Sequence, residues 1–334
     1  MQISTERILW SVCLLAWVGV ILIRAQAPQP DGGNIERGNL PTEWRTAGRC
    51  MEQSDWQVQE YNEDLYILRE SGCVHYEKPF LYLIFGNDKA VLMDTGAGTT
   101  ELAALVDSLI TKWCQRKKRA SIPLMVMHSH GHRDHVARDS EFRNKPGIEF
   151  IPAEIDAVVK AFSIRAWPDS IGSLELGGRR LDVIPIPGHH PVAIALYDPR
   201  TAILMTGDNV YPGRLYISDW KAFAASTRRL VEFTQGRLIS HILGCHIEQS
   251  KTPYLEFPMG SISQPDEHVL ELSRGDLLEL NLVLEDLKGS PKRVALRSMT
   301  IYPVDDAVWK DLRQVREQTE NHQRKIQWTS PSKD

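Results

Sequence analysis

The sequence has few cysteines and no C-x-x-C pair. Only five cysteines occur in 334 residues, and Cys13 lies inside an apolar N-terminal run. Zinc knuckles built from thiolates and thioredoxin-like chemistry are therefore not indicated. Among the others, a bridge between Cys50 and Cys73 is conceivable in an oxidising compartment, and free buried thiols are equally compatible with the sequence.

An excess of charge of one sign is also missing. The chain has 39 Lys and Arg against 43 Asp and Glu, a net charge of -4, and a pI near 6.3. No broad basic field exists to hold nucleic acid, so we expect no nucleic-acid partner.

No motif repeats at a period of 20 to 50 residues, which excludes a solenoid. With 42% hydrophobic and 25% charged residues, the chain has the composition of a folded globular protein.

The N-terminus contains an uncharged, largely apolar run, residues 8–23, between Arg7 and Arg24. Its length lies between that of a signal-peptide core and that of a membrane span. Residues 1–27 are therefore predicted to be a cleaved signal peptide or a retained membrane anchor. Either interpretation predicts an exported protein, periplasmic or otherwise extracytoplasmic or secreted, with membrane attachment through residues 8–23 if the segment is retained. Residues 28–48 are rich in proline, glycine and charge and predict a linker.

Residues 49–250 carry the pattern of a mixed α/β domain. Short β-rich runs such as LYILRE, YLIFG, AVLMDTG and AIALYD alternate with turn-forming residues and predict strands. Two stretches have apolar residues at helical spacing, at 99–119 and 219–235. The remainder, residues 251–334, is charged with helical periodicity, and predicts a helical C-terminal extension.

The segment HSHGHRDH, residues 128–135, contains four of the chain's eleven histidines. It follows the apolar run PLMVM, so the histidines are expected at the end of a buried strand, where ligands collect in α/β proteins. Imidazole and carboxylate groups at alternating positions suit metal binding from a tight loop. His130, His132, Asp134 and His135 form two pairs, more than one catalytic zinc ion with an open position requires. The segment therefore predicts two metal ions.

Further ligands should then lie at loop ends after later strands. Three residues have this placement: His189 in PIPGHHPVAI, Asp208 in LMTGDNV and His246 in ILGCHIE. Taken singly, each would more often be an ordinary loop or capping residue. Their occurrence together after strands indicates one site.

The order of these motifs, beginning with Asp94 in LMDTG, resembles the metallo-β-lactamase superfamily, most of all its glyoxalase II-type hydrolases. The resemblance covers about residues 55–250. It implies an α/β fold of the αββα type, a sandwich of two mixed sheets with helices on the outer faces. It also implies that the metal ligands lie on loops along one edge of the sandwich.

The resemblance implies a role for each residue of the set. One metal would be held by His130, His132 and His189. The other would be held by Asp134, His135 and His246, with Asp208 bridging both. Asp94 would orient a ligand histidine without binding metal, and Asp134 could also position the attacking hydroxide. The cofactors are expected to be two divalent ions, zinc being favoured and iron or manganese remaining open.

The implied function is that of an exported hydrolase that uses a hydroxide held between two metals to cleave a small ester-like molecule. A thioester or lactone is the favoured substrate. The alternatives are a β-lactamase, an oxidoreductase of an iron-binding branch with related motifs, and a non-enzymatic metal-binding envelope protein. Two departures bear on the substrate. His190-Pro191 follows His189, where the family often has a small hydroxyl residue. The helical section after His246 does not match the glutathione-binding part of glyoxalase II enzymes.

Several neighbouring residues have weaker assignments. His128 and His190 adjoin ligands but lie outside the motif and are expected to pack or to support the ligands. Cys245 is expected to be a small buried residue. The aromatic and basic residues after Asp208 could form a substrate wall, but packing is the more common role for such residues: Tyr211, Arg214, Tyr216 and Trp220.

Overall fold

The computed structural model describes residues 35–45 and 50–328. The predicted signal or anchor segment, residues 1–27, lies outside the described residues, as do the ends of the predicted linker. Within residues 35–45 and 50–328, no helix combines the length and the apolarity needed to cross a membrane. The described part of the linker packs on the domain, where Trp44 is buried and meets the edge of Phe80 at 4.8 Å between ring centroids.

Six strands form the first sheet, in the order β1-β2-β3-β4-β5-β6. The first four strands pair antiparallel, whereas β4, β5 and β6 pair parallel. The sheet is therefore mixed. Its strands are β1 (Trp56–Asn62), β2 (Leu65–Glu70), β3 (Phe80–Phe85), β4 (Ala90–Met93), β5 (Leu124–Met127) and β6 (Ile148–Phe150).

A second mixed sheet has the order β13-β12-β10-β9-β8-β7, with β10 and β12 parallel and the other neighbours antiparallel. Its strands are β7 (Gly172–Glu175), β8 (Arg180–Pro185), β9 (Ile194–Asp198), β10 (Ile203–Gly207), β12 (His241–Gly244) and β13 (Glu271–Leu272).

The two sheets pack face to face around the main core. Ile67 and Tyr82 of the first sheet meet Leu196 and Met205 of the second in one buried cluster. The Tyr82 hydroxyl also donates to the carbonyl of Gly244 at 2.5 Å, which satisfies a polar group inside that core. β2 and β3 are buried at every position, because helices cover the outer face as well.

Helices on both outer faces complete the sandwich. α1 (Ala103–Arg116) covers the first sheet with Val106 and Trp113. α4 (Trp220–Thr234) and α5 (Arg274–Asp286) cover the second. The short helices α2 (Arg133–Val136) and α3 (Ile155–Ala161) lie in connections. The predicted αββα sandwich of two mixed sheets is confirmed.

The region after residue 250 contributes strands as well as the predicted helices. A third, three-stranded sheet has the order β11-β15-β14, formed by β11 (Arg214–Ile217), β14 (Val294–Ala295) and β15 (Thr300–Pro303). The sequence patterns did not indicate β13, β14 or β15, which are short and depend on distant partners. The last helix is α6 (Asp306–Trp328). The division of the chain at residues 48 and 250 stays a prediction.

Cys50 and Cys73 form a disulfide bridge 23 residues apart in sequence. The sequence left this pairing open. Replacing both cysteines by serine is expected to lower the free energy of unfolding by about 3 kcal/mol, because the bridge restricts a loop of this size in the unfolded chain. Urea unfolding of the double variant beside the oxidised wild type measures the difference. A difference below about 1 kcal/mol would contradict the expectation.

Candidate metal centre

The strand directions bring the predicted site residues to one edge of the sandwich. β4 and β5 are parallel in the first sheet, and β10 and β12 are parallel in the second. β8 runs the same way as β10, because both pair antiparallel with β9. The loops after these five strands, together with the short helix α2 that follows β5, carry all eight predicted residues: Asp94, His130, His132, Asp134, His135, His189, Asp208 and His246.

Three histidines converge in the first group, which we call the three-histidine cluster: His130, His132 and His189. His132 Nδ1 lies 3.1 Å from His130 Nε2 and 2.9 Å from His189 Nε2. Ligand atoms placed about 2.1 Å from one tetrahedral zinc ion lie roughly 3.4 Å from one another. The spacing of these nitrogens is therefore close to that of a ligand set.

A second group joins carboxylates and histidines, and we call it the mixed cluster: Asp134, His135, Asp208 and His246. Asp134 Oδ2 lies 3.1 Å from His135 Nε2 and 3.2 Å from His246 Nε2. The two imidazole nitrogens are 3.3 Å apart. This group also has the spacing of ligands around one ion.

Asp208 stands between the two clusters. Its Oδ2 lies 3.5 Å from His189 Nε2 and 3.4 Å from His246 Nε2. The other oxygen, Oδ1, is buried and has no hydrogen-bond partner within residues 35–45 and 50–328. A buried carboxylate oxygen without a partner is costly unless a cation balances it. These residues therefore fit bound metal ions, although their ligand roles stay a prediction.

The two clusters differ in electrostatic character. Burial lowers the pKa of all three histidines of the first cluster, that of His189 to about 4, so these rings are neutral. Burial alone would also lower the pKa of His135 and His246, but the adjacent carboxylates outweigh it and raise both well above the usual value. The field around Asp134 and Asp208 thus favours a cation.

Hydrogen bonds on the outer side of the rings fix which nitrogen faces the centre. Nδ1 of His189 donates to the carbonyl of Tyr216 at 2.7 Å, and Nδ1 of His246 donates to the carbonyl of Glu77 at 2.9 Å. Nδ1 of His135 donates to Asp94 Oδ2 at 2.9 Å. In the neutral form of each ring the lone pair is therefore on Nε2, which faces the centre, as metal-binding histidines require.

Ser129 links the buried Asp94 carboxylate to both clusters. Its hydroxyl donates to Asp94 Oδ2 at 2.7 Å, and its backbone N–H donates to Oδ1 at 2.7 Å. Because that hydroxyl hydrogen is used, His130 Nδ1 must donate to Ser129 Oγ at 3.0 Å. One carboxylate thus orients His135 directly and His130 through a serine.

Replacing Ser129 by alanine is expected to weaken metal binding at the three-histidine cluster by about 10- to 100-fold, as is typical when a ligand loses its outer hydrogen bond. Chelator competition on the metal-loaded protein measures this affinity. Ser108→Ala, on the exposed face of α1, is the matched control. Unchanged affinity in the Ser129 variant would show that the serine does not orient His130.

The residues with weaker assignments are placed as follows. His128 makes its contacts away from the centre, with Nε2 at 2.8 Å from Asp139 Oδ1 and Nδ1 at 3.1 Å from the Ile151 carbonyl oxygen. Cys245 is fully buried. Arg214 is buried and forms an ion pair with Glu248 at 2.6 Å, so its role is structural. The aromatic residues after Asp208 have packing roles. Tyr211 packs against His246, and Tyr216 packs against Trp309. Trp220, the first residue of α4, packs against the core between the second sheet and its helices.

Sequence reasoning missed Ser129 and the two carbonyl acceptors on Tyr216 and Glu77. Ser129 had a signal, since a hydroxyl residue directly precedes the first ligand histidine. The carbonyls had none, because every residue carries one and only the fold decides which carbonyl meets a ring nitrogen.

A two-sheet αββα sandwich with histidine and aspartate clusters along one edge defines a metal-binding hydrolase class. The chain belongs to the metallo-β-lactamase superfamily, whose family model matches residues 79–280. The protein is accordingly a hydrolase. The glyoxalase II-type branch stays a prediction.

Two curated relatives carry the name acyl-coenzyme A thioesterase MBLAC2. The Bos taurus protein is 27% identical over 234 residues, covering 59% of this chain and 83% of its own. The Homo sapiens protein is 26% identical over the same shares. Among solved structures, a metallo-β-lactamase from Pontibacter korlensis has a TM-score of 0.46 at 18% identity, covering 69% of this chain and 99% of its own. The structure of TMB-1 has a TM-score of 0.47 at 15% identity, covering 71% of this chain and 100% of its own.

Proposed function

We propose that this protein is a metal-dependent thioester hydrolase that uses two divalent ions, one in each cluster. The observation that carries the proposal is the position of Asp208 Oδ2 between histidines of both clusters, 3.5 Å from His189 and 3.4 Å from His246. A single carboxylate at that point suits two ions rather than one. Zinc is the favoured metal for this nitrogen-rich set, with iron or manganese as alternatives.

The choice of a thioester is supported by the relatives, both of which are named acyl-coenzyme A thioesterases and match over 83% of their length. An acyl thioester is a small-molecule substrate with a polarisable carbonyl. Lactones and β-lactams share that carbonyl and are the competitors to test.

Divalent ions bound here would supply a nucleophile from water at neutral pH and polarise the substrate carbonyl. The chain's own residues prepare the site for this chemistry. Asp94 and Ser129 hold His135 and His130 in the tautomer that leaves Nε2 free. Asp134, whose side chain is 19% exposed, is the carboxylate of the centre that is best placed to accept a hydrogen bond from the attacking water. Water and thioester then yield a carboxylic acid and a thiol.

We further propose that the protein works outside the cytoplasm. The apolar run of residues 8–23 supports export, and the Cys50–Cys73 bridge suits an oxidising compartment. Whether the run is cleaved or retained would be read from the N-terminal sequence of the mature protein.

The test is hydrolysis of acyl-CoA thioesters of increasing chain length, a lactone and a cephalosporin by the protein loaded with zinc, iron or manganese. We expect release of free CoA thiol and two metal ions per chain. His132→Ala should lose both metal and turnover. His322→Ala, at an exposed position of α6, should retain both.

Cleavage of the cephalosporin with no thioesterase activity would replace the proposed substrate class by β-lactams. No turnover of any substrate with two metals bound would overturn the thioesterase proposal. One metal per chain in an active protein would overturn the two-ion arrangement.

A further inference from the structure

His190 is a sixth histidine at the centre, next in sequence to His189. Its ring centroid lies 4.8 Å from that of His132 and 5.7 Å from that of His130. Its side chain is only partly buried, unlike that of His130 or His189. His190 thus stands between the three-histidine cluster and solvent.

A backbone hydrogen bond fixes the tautomer of His190. The N–H of Val192 donates to His190 Nδ1 at 3.2 Å. A backbone N–H can only donate, so Nδ1 is the acceptor and the ring hydrogen of the neutral imidazole lies on Nε2. The turn is closed by a second bond, from the N–H of Ala193 to the carbonyl of His190 at 3.1 Å.

The polarity of His190 is therefore opposite to that of three histidines of the centre. His135, His189 and His246 each donate through Nδ1 and leave a lone pair on Nε2. His190 has its Nδ1 lone pair occupied and a hydrogen on Nε2. It cannot serve as a metal ligand in this arrangement, but it can donate a hydrogen bond.

The Nε2–H group of His190 has no acceptor among the described residues. The edge of the His190 ring that carries Nε2 lies against Gly131. Gly131 is the residue between His130 and His132 in the sequence. A Cβ atom at position 131 would come within 3.0 Å of His190 Cε1 and 3.3 Å of Nε2. Glycine at this point lets the ring approach the ligand loop closely, so the Nε2–H group lies beside the loop that carries His130 and His132.

We infer that His190 is a further catalytic residue, whose Nε2–H donates a hydrogen bond to the carbonyl oxygen of the substrate as negative charge develops there. The inference deepens the proposed thioesterase function and rests on it. Water adds to the carbonyl carbon while Asp134 takes one of its protons, and the carbonyl π electrons move to the oxygen held by Nε2–H. Collapse of this adduct breaks the C–S bond, and the sulfur takes that proton from Asp134 and leaves as a thiol. His190 donates throughout and transfers no proton.

A fixed donor of this kind acts where charge appears in the transition state. Removing one such donor typically lowers kcat by about 10²- to 10³-fold. Because the donor is held by the Val192 bond before substrate arrives, it needs no reorganisation during the reaction. The effect is expected on kcat more than on KM, since the bond strengthens as charge develops.

The test compares His190→Leu with His190→Gln in the metal-loaded protein, using the acyl-CoA thioester that the wild type cleaves best. His190→Leu removes the donor, and we expect kcat to fall by about 100-fold with KM within about threefold. His190→Gln supplies an amide N–H and should recover part of kcat. His322→Leu, at an exposed position of α6, is the control for the same chemical change.

Two further readouts separate a catalytic role from a structural one. Metal content should stay at the wild-type value in all three variants. ¹⁵N NMR of the imidazoles should show His190 protonated on Nε2, with that signal shifting when a ketone analogue with a methylene inserted between carbonyl and sulfur binds.

The outcomes are distinguishable. Wild-type kcat in His190→Leu, a loss of kcat that parallels a loss of metal, or a hydrogen on Nδ1 would each overturn the role of His190 while the thioesterase function stands. Failure of the wild type to cleave any thioester would overturn the proposed function, and this inference with it.

Discussion

Replacing Asp208 by asparagine is expected to remove most bound metal and to lower turnover by well over 100-fold. The amide keeps the shape of the side chain but removes the charge that faces His189 and His246 at 3.5 and 3.4 Å. The loss should exceed the roughly 10- to 100-fold cost of disturbing a residue that only orients a ligand. Both clusters should be affected, because the same oxygen adjoins both.

Metal content by mass spectrometry and hydrolysis of the best substrate are the measurements for this variant. Asp107→Asn, on the exposed face of α1, makes the same chemical change away from the site. Circular dichroism of the Asp208→Asn variant is the control for a retained fold. A variant with two metals and wild-type turnover would mean that Asp208 does not bridge the clusters.

Replacing Glu267 by glutamine is expected to destabilise the fold by about 3 to 5 kcal/mol. Arg69 at the end region of β2 binds Glu267 through two hydrogen bonds, Nη1 to Oε2 at 2.7 Å and Nη2 to Oε1 at 2.6 Å. Their side chains are only 2% and 4% exposed. Loss of the carboxylate leaves a guanidinium buried without its counter-charge, against the face of Phe80.

Denaturant unfolding of Glu267→Gln measures the loss. The double variant Arg69→Met with Glu267→Leu is the informative comparison, because removing both charges leaves none uncompensated and is often close to neutral. We expect it to be clearly more stable than the single variant. A single variant within about 1 kcal/mol of the wild type would show that water or another group compensates Arg69.

The sandwich and its edge of ligands could be predicted because they depend on local patterns. LYILRE corresponds to β2 from Leu65 to Glu70, and the alternating imidazoles after PLMVM follow β5 as expected. Strand ends gather on one edge in a sheet with parallel pairs, which is why the separate motifs could be assigned to one site before their distances were known.

The rest depends on contacts between distant parts of the chain. Arg69 and Glu267 are 198 residues apart, and nothing near either one signals the other. β14 and β15 are too short to be recognised without the sheet that they form with β11. The tautomer of His190 depends on the N–H of Val192, and backbone groups look alike in every sequence.

The pairing of β11 with β15 has a consequence for the order of events during synthesis. β11 pairs only with β15 in its sheet, so Tyr216 meets its partner Tyr302 after nearly the whole chain has been made. The Tyr216 carbonyl orients His189. We therefore expect the three-histidine cluster to reach its final geometry late in synthesis, after β15 has emerged and paired with β11. The two larger sheets, whose last strand ends at Leu272, can pack earlier.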